Sequence, residues 1–118
     1  MTQNRPDLNK VGHKDDIGKP MVFKGFFCQF PNAIEAVASM VEMGANRYAW
    51  DNWKKFEDET RINEALGRHT LEEAKGNDYN DSDFGYLEAV HIAWCAMARL
   101  EIILRTKPAR RCIMSPKE

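Results

Sequence analysis

One stretch of the chain decides the fold class: residues 84–105 read FGYLEAVHIAWCAMARLEIILR. Apolar side chains surround this segment on nearly every side, which is typical of a helix buried inside a protein. Pro108 marks its end, because proline lacks the amide hydrogen that a continuing helix needs. We therefore predict a buried helix over residues 84–105, the last and longest of an all-α domain.

The same stretch raises the question of a membrane span, since residues 87–104 are mostly apolar. They also contain two acids, a histidine and an arginine, whereas a spanning helix needs ~20 predominantly apolar residues. Residues 1–18 hold no apolar core long enough for a signal peptide. We therefore expect a soluble protein that has no membrane partner.

The composition is that of an ordinary globular domain. The 118 residues are 43% hydrophobic and 30% charged, which argues against disorder and fits a single domain. With 17 basic and 18 acidic side chains the net charge is −1, so a nucleic acid polymer is a poor candidate partner. Three cysteines form no C-x-x-C pair, which favours a reducing cytoplasm over secretion.

Two shorter helices are predicted before this one. The first begins at Pro31 or Asn32, and Gly44 is its stop or a weak point within it. Its apolar residues recur at steps of three and four: Ile34, Val37, Ala38, Val41 and Ala45. The second begins near Thr60, and its candidate caps are Asp58, Glu59 and Thr60. Gly76 is expected to end it in a left-handed conformation.

Three other segments complete the expected fold. Residues 21–30 are aromatic without a clear period, so we predict an extended arm with at most one short strand. Residues 46–53 contain both aromatic and polar side chains, which predicts a loop that binds a ligand or packs tightly against the domain. Residues 77–83 form an acidic loop, in which Ser82 or Asp83 can cap the third helix.

The predicted organisation is therefore a small helical bundle with loose ends. An extended N-terminal arm covers residues 1–30, the helical domain residues 31–106, and a basic tail residues 107–118. Three principal helices leave much apolar surface uncovered in so small a chain, so we expect a homodimer or homotetramer.

The third helix carries two polar residues on one face, Glu88 and His91, which are three positions apart. Burying an unpaired carboxylate costs several kcal/mol, so a cation, a metal or a polar network has to compensate it. The second helix offers matching groups, because His69 shares a face with Glu72 or Glu73. Two helices joined by a short loop pack antiparallel, which brings these groups to one level and predicts a site for a divalent metal.

A plainer interpretation stays open at this point. In it, Glu72 and Glu73 are solvated, and Glu88 pairs with His91 or Arg68 as a satisfied buried pair. Spacing does not choose between this polar network and a metal site. Cys95, one turn beyond His91, is expected to be a small core residue.

Five short motifs follow one another along the chain. They are GKP at residues 18–20, GANRY with NW at 44–53, RH at 68–69, DSDFG at 81–85 and EAVH at 88–91. In this order they resemble the motifs of the MazG-like all-α nucleoside triphosphate pyrophosphohydrolases, in particular the phage-type dATP/dGTP diphosphohydrolases. One departure is that Glu88 replaces the first histidine of that family's H-x-x-H, as a step toward the acidic E-x-x-D of the wider group.

The resemblance implies an oligomeric MazG-like bundle and an enzyme. Such an enzyme hydrolyses a (deoxy)nucleoside triphosphate, here a purine such as dATP or dGTP, to the monophosphate and pyrophosphate. Mg²⁺ or Mn²⁺ would neutralise the phosphates and activate water, with imidazole ligands favouring Mn²⁺. The expected location is the cytoplasm of a bacterium or of a phage-infected host.

The resemblance also assigns roles to residues. The expected metal ligands are His69, Glu72, Glu73, Glu88 and His91. The expected general base is Glu73 or Glu35. The expected phosphate ligands are Lys19, Arg47 and Arg68. The nucleobase is expected to stack on Tyr48, Trp50 or Trp53 and to meet Asn52 at its edge. Trp53 is an equally good core residue, and Asp81 and Asp83 are turn residues unless they reach substrate or a second metal.

Two rival functions belong to other classes. A ferritin-like carboxylate oxidoreductase needs an E-x-x-H motif twice, and this chain has it once, so a second copy would have to supply the other. A non-catalytic helical module would keep the same polar residues as a structural network.

Overall fold

The computed structural model describes residues 17–107 and confirms the all-α class. Its principal helices are α1 (Pro31–Arg47), α2 (Thr60–Ala74) and α3 (Glu88–Thr106). Shorter elements are a π-helical turn (Phe23–Phe27), a 3₁₀ turn (Asn52–Lys55) and the two-residue strands β1 (Tyr79–Asn80) and β2 (Tyr86–Leu87). The predictions for residues 1–16 and 108–118, which include Cys112 and nearly all of the basic tail, lie outside the described residues.

Of the described residues, those up to Pro31 belong to a compact unit that is separate from the rest. The prediction of an extended arm over residues 21–30 is wrong for Phe23–Phe27, which are helical. The amide of Cys28 donates to the carbonyl of Phe23 at 2.8 Å. Phe23 contacts Phe27, and Phe26 contacts Phe30, with ring centroids 5.9 and 5.8 Å apart. These pairs are four residues apart, so the aromatic side chains stabilise a helical conformation.

Helix α1 continues beyond the glycine expected near its end. Pro31 occupies the first turn, where its missing amide hydrogen costs no hydrogen bond. Gly44 lies inside the helix, which ends at Arg47. Met40 is its buried residue.

Helix α2 has the ends that the sequence predicts. The side chain of Asp58 accepts a hydrogen bond from the amide of Thr60 at 3.0 Å, and this bond lowers the pKa of that carboxyl group. At the other end Gly76 has φ +93°, and the next amide, of Asn77, donates to the carbonyl of Glu72 at 2.9 Å. Glycine is favoured here because the left-handed conformation strains other residues.

A small hairpin precedes α3, where the sequence predicted the helix itself. Strands β1 and β2 are antiparallel, and Phe84 and Gly85 turn the chain with φ of 68° and 73°. Helix α3 therefore begins at Glu88 and not near residue 84, and neither Ser82 nor Asp83 caps it. The Glu88 amide donates instead to the carbonyl of Asp78 at 2.7 Å.

Helices α2 and α3 are antiparallel, as predicted. Contacts between them join His69 to Glu88 and Asn63 to Arg99, so the residue number falls on α2 as it rises on α3. A buried cluster lies between the two helices: Ile62, Cys95, Ala98 and Ile102. Partly buried residues packed against it are Trp53, Phe56, Ala65, Leu66 and Trp94.

Helix α3 is not buried on all sides, which corrects the prediction. Met97 and Leu100 are 52% and 48% exposed. The buried residues of α3 lie toward α2 and the segments packed beside it, and these elements leave the outer face of α3 uncovered. Among residues 17–107 no helix has the length and apolar character of a membrane span.

Candidate metal centre and adjoining pocket

The first residue of α3 reaches across to the middle of α2. Glu88 is 2% exposed, and its Oε1 lies 2.6 Å from Nδ1 of His69. An ionised carboxylate can only accept, so the Nδ1–H of His69 donates in this bond. The structure thus brings His69 and Glu88 together, as the sequence predicted, and it pairs Glu88 with His69 where the plainer interpretation named His91 or Arg68.

His91 lies one turn after Glu88 and is stacked on His69. The two ring centroids are 4.5 Å apart and the planes differ by 9°. His91 is 5% exposed, and its Nε2 is buried without a hydrogen-bond partner. Burial lowers the pKa of His91, and the neighbouring His69 lowers it further. At neutral pH this imidazole is therefore uncharged, which is the form that binds metal ions.

The hairpin turn supplies a carboxylate to the two histidines. Asp83 Oδ2 lies 3.7 Å from Nδ1 of His91, and its Oδ1 lies 3.9 Å from Nη1 of Arg47. One donor atom from each of His69, Asp83 and His91 fits within 4.8 Å of the others. Two imidazoles and a carboxylate are a donor set suited to a divalent transition metal.

The other predicted ligands and bases lie elsewhere on the helices. Glu72 accepts hydrogen bonds from Asn77 at 2.8 Å and Lys75 at 3.3 Å, near the end of α2. Glu73 and Glu35 are exposed, on α2 and α1. The structure does not bring these three into the cluster of His69, Asp83 and His91, and their roles stay predictions.

A cavity of about 380 Å³ opens beside the cluster. His69, Asp83 and His91 form part of its wall, and much of the remainder is aromatic: Tyr48, Trp50, Trp53, Phe56, Phe84 and Trp94. Volumes of roughly 300–1,000 Å³ with few polar groups are typical of small-molecule sites. Two imidazoles and a carboxylate thus lie close together in the wall of a largely aromatic pocket.

A family model described as "dATP/dGTP diphosphohydrolase, N-terminal" matches residues 9–111. The chain belongs to the dATP/dGTP diphosphohydrolase family. The MazG-like description is consistent with this match, and the family name indicates hydrolysis of nucleoside triphosphates. No curated protein and no solved structure gives a match.

In this member of the diphosphohydrolase family, residues that were expected to contact the nucleobase lie in the wall of the cavity. Tyr48, Asn52 and Trp53 all line the cavity. Trp53 also packs against the core and meets Trp94 edge to face, with centroids 5.6 Å apart, so both of its proposed roles are compatible with its position. Cys95 lines the pocket as a buried residue, and burial raises the pKa of its thiol to about 11.

The residues expected to hold phosphates are more scattered. Arg47 lies over the ring of Phe84, 4.6 Å from its centroid, and beside Asp83. Arg68 and Asp81 are exposed and are absent from the cavity wall. Lys19 is exposed in the unit that ends at Pro31.

Sequence reasoning missed one residue of this site and gave another a less definite role. Asp83 was named as a turn residue that could reach substrate or a second metal, and the hairpin turn reveals that it lies near His91. Arg61 lines the cavity and lies over the ring of Phe56, 5.4 Å from its centroid. A signal for it was available, because Arg61, Ala65 and His69 follow at four-residue steps on one helical face.

Proposed function

We propose that this protein hydrolyses a purine deoxynucleoside triphosphate, dATP or dGTP, to the monophosphate and pyrophosphate with a bound divalent cation. The observation that carries this proposal is the cluster of His69, Asp83 and His91 in the wall of an aromatic cavity. The cluster suits a cation that faces phosphates, and the cavity suits a flat nucleobase. The family match supplies the substrate class.

The residues present fit a metal ion. The unpartnered Nε2 of His91 is a buried donor atom that a cation would satisfy. When bound, such a cation neutralises phosphate charge and activates water for attack on phosphorus. The donor set of two imidazoles and one carboxylate favours Mn²⁺ over Mg²⁺, since imidazole suits transition metals and Mg²⁺ prefers oxygen ligands.

The chain's own residues would bind and orient the substrate. Tyr48 and Trp53 present aromatic faces to the cavity, and the Asn52 amide can both donate to and accept from a purine edge. The Arg47 guanidinium is near the carboxylate of Asp83, so it is placed to meet phosphate oxygens next to the cation. Arg68 is an exposed cation that we propose as a further phosphate ligand.

The partner of α3 is proposed to be a second copy of the chain. Met97 and Leu100 lie three residues apart on α3 and are about half exposed. Packing Met97 and Leu100 against the same face of a second copy would bury apolar surface that is exposed in a single small chain. Light scattering at micromolar concentration tests this, with Met97→Glu expected to shift a dimer or tetramer toward monomer. A monomeric unaltered protein would contradict it.

A product assay tests the proposed reaction. The purified chain is incubated with each deoxynucleoside and ribonucleoside triphosphate, with Mn²⁺ or Mg²⁺, and the products are separated by chromatography. We expect monophosphate and pyrophosphate in equal amounts, fastest with dATP or dGTP. Release of orthophosphate would show a different bond being cleaved, and no turnover with any nucleotide would favour the non-catalytic helical module.

A further inference from the structure

Glu88 carries a carboxylate that is almost completely buried beside the proposed metal centre. Glu88 is 2% exposed, and its Oε1 lies 2.6 Å from Nδ1 of His69. Its backbone is hydrogen-bonded to the segment that leads into the hairpin, since the Glu88 amide donates to the Asp78 carbonyl at 2.7 Å. A buried carboxylate needs hydrogen bonds to offset the loss of water, and His69 supplies one. The two side chains are therefore held in one fixed arrangement.

This hydrogen bond determines which nitrogen of His69 is free. Since Glu88 accepts, the proton of the neutral imidazole is on Nδ1 and the lone pair is on Nε2. In the neighbouring ring, Nδ1 of His91 lies 3.7 Å from Asp83 Oδ2, which is beyond hydrogen-bond distance, and the buried Nε2 has no partner. The two rings are nearly parallel, at 9°. Each ring has Nδ1 facing a carboxylate, which leaves both Nε2 atoms for a cation.

We propose that Glu88 is a positioning residue, which fixes the tautomer and ring orientation of His69 for metal binding, in place of the ligand role that its spacing to His91 suggested. The inference rests on the proposed function, because it takes His69 as a ligand. Carboxylates that accept a hydrogen bond from a metal-bound imidazole orient the ring and raise its basicity. Glu88 does this from α3, and the ring that it orients belongs to α2.

The first test uses the metal-free protein labelled with ¹⁵N-histidine. Long-range ¹H–¹⁵N spectra report which ring nitrogen carries the proton. We expect His69 to be protonated at Nδ1 in the unaltered protein. In Glu88→Gln it is expected to exchange between both tautomers, because an amide can donate as well as accept. Glu64→Gln, an exposed acid of α2, is the matched control and is expected to leave the His69 signals unchanged.

The second test measures cation binding with Co²⁺ as the probe. We expect Glu88→Gln to bind Co²⁺ about 10- to 100-fold more weakly, the usual effect of losing such a carboxylate. The visible spectrum of the saturated variant is expected to match the unaltered protein, because the donor atoms are the same. Glu88→Asp keeps the charge on a shorter side chain, and it provides the comparison if Glu88→Gln fails to fold. Its expected loss of affinity is intermediate.

The outcomes separate this inference from the proposed function. If the unaltered protein binds Co²⁺ and hydrolyses nucleotide while Glu88→Gln keeps both the Nδ1–H tautomer and full affinity, only the positioning role is wrong. If saturation of Glu88→Gln gives a different coordination spectrum, Glu88 is a ligand and the inference is overturned. If the unaltered protein binds no Co²⁺, the proposed metal centre itself is wrong, whatever the tautomer of His69.

Discussion

The imidazole rings of His69 and His91 lie face to face where α2 meets α3, with centroids 4.5 Å apart. Two protonated rings would repel one another at this distance, and the pKa of His91 is lowered by burial and by His69. The His91 ring of this stacked pair is therefore uncharged at neutral pH. Neutral imidazoles with free nitrogens are metal ligands, and this relationship underlies the account of the site.

Removal of His91 tests the cluster directly. We expect His91→Ala to lower kcat/KM for pyrophosphate release by about 100-fold or more, because a cation would lose a ligand. Circular dichroism should show retained helix content. The exposed Glu64→Gln variant is the control for handling and assay. Activity within a few-fold of the unaltered protein in His91→Ala would mean that the site has been misassigned.

Tyr48 and Trp53 are expected to respond differently to truncation. Tyr48 is 58% exposed in the cavity wall, so Tyr48→Ala should raise KM about 10-fold with little change in Tm, in line with stacking energies of roughly 1–3 kcal/mol per base. Trp53 packs against the core and Trp94, so Trp53→Ala should lower Tm by several degrees as well. Kinetics and thermal melts on both variants measure this. An unchanged KM in Tyr48→Ala would contradict base stacking there.

Much of this site follows from local spacing. The positions of His69, Glu88 and His91 fix helical faces, and the short connection between α2 and α3 makes those helices antiparallel, so their convergence was predictable. The place of Asp83 was not, because it depends on the positive φ of Phe84, a residue type that rarely adopts that conformation. Only the folded hairpin turns Asp83 toward His91.

Two errors of prediction have physical causes of their own. The pairs Phe23–Phe27 and Phe26–Phe30 have the four-residue spacing of a helix, but aromatic residues are also common in strands, so composition alone does not predict the helical turn. Met97 was expected in the core because α3 is apolar all round, yet burial on its outer face depends on a partner that the sequence of one chain does not reveal.

The thiol of Cys95 is expected to be inert in the folded protein. Burial raises its pKa to about 11, so very little thiolate exists at pH 8. A variant with Cys28→Ser and Cys112→Ser leaves Cys95 as its single thiol. We expect this variant to react with a disulfide reagent at pH 8 only after denaturant is added. Rapid reaction without denaturant would contradict the burial of Cys95.

The Asp58 cap predicts a dependence of stability on pH. Its hydrogen bond to the Thr60 amide lowers the pKa of the carboxyl in the folded state, below the ordinary value of 3.8. The stabilisation is therefore present above that value and is lost as the pH falls through the folded pKa. Asp58→Asn should have a lower Tm than the unaltered protein at pH 7, and the difference should shrink below pH 4. The neighbouring Glu57→Gln is the control, and an equal difference at both pH values would contradict the cap.

The central claim is that His69, His91 and Asp83 hold one divalent cation. Anomalous diffraction from crystals soaked in Mn²⁺ tests it most directly, because Mn²⁺ scatters anomalously and protein ligands lie about 2.0–2.3 Å from a bound transition metal. We expect an anomalous peak at that distance from Nε2 of both histidines. A peak held by Glu72 or Glu73 instead, or no peak near Nε2 of either histidine, would contradict it.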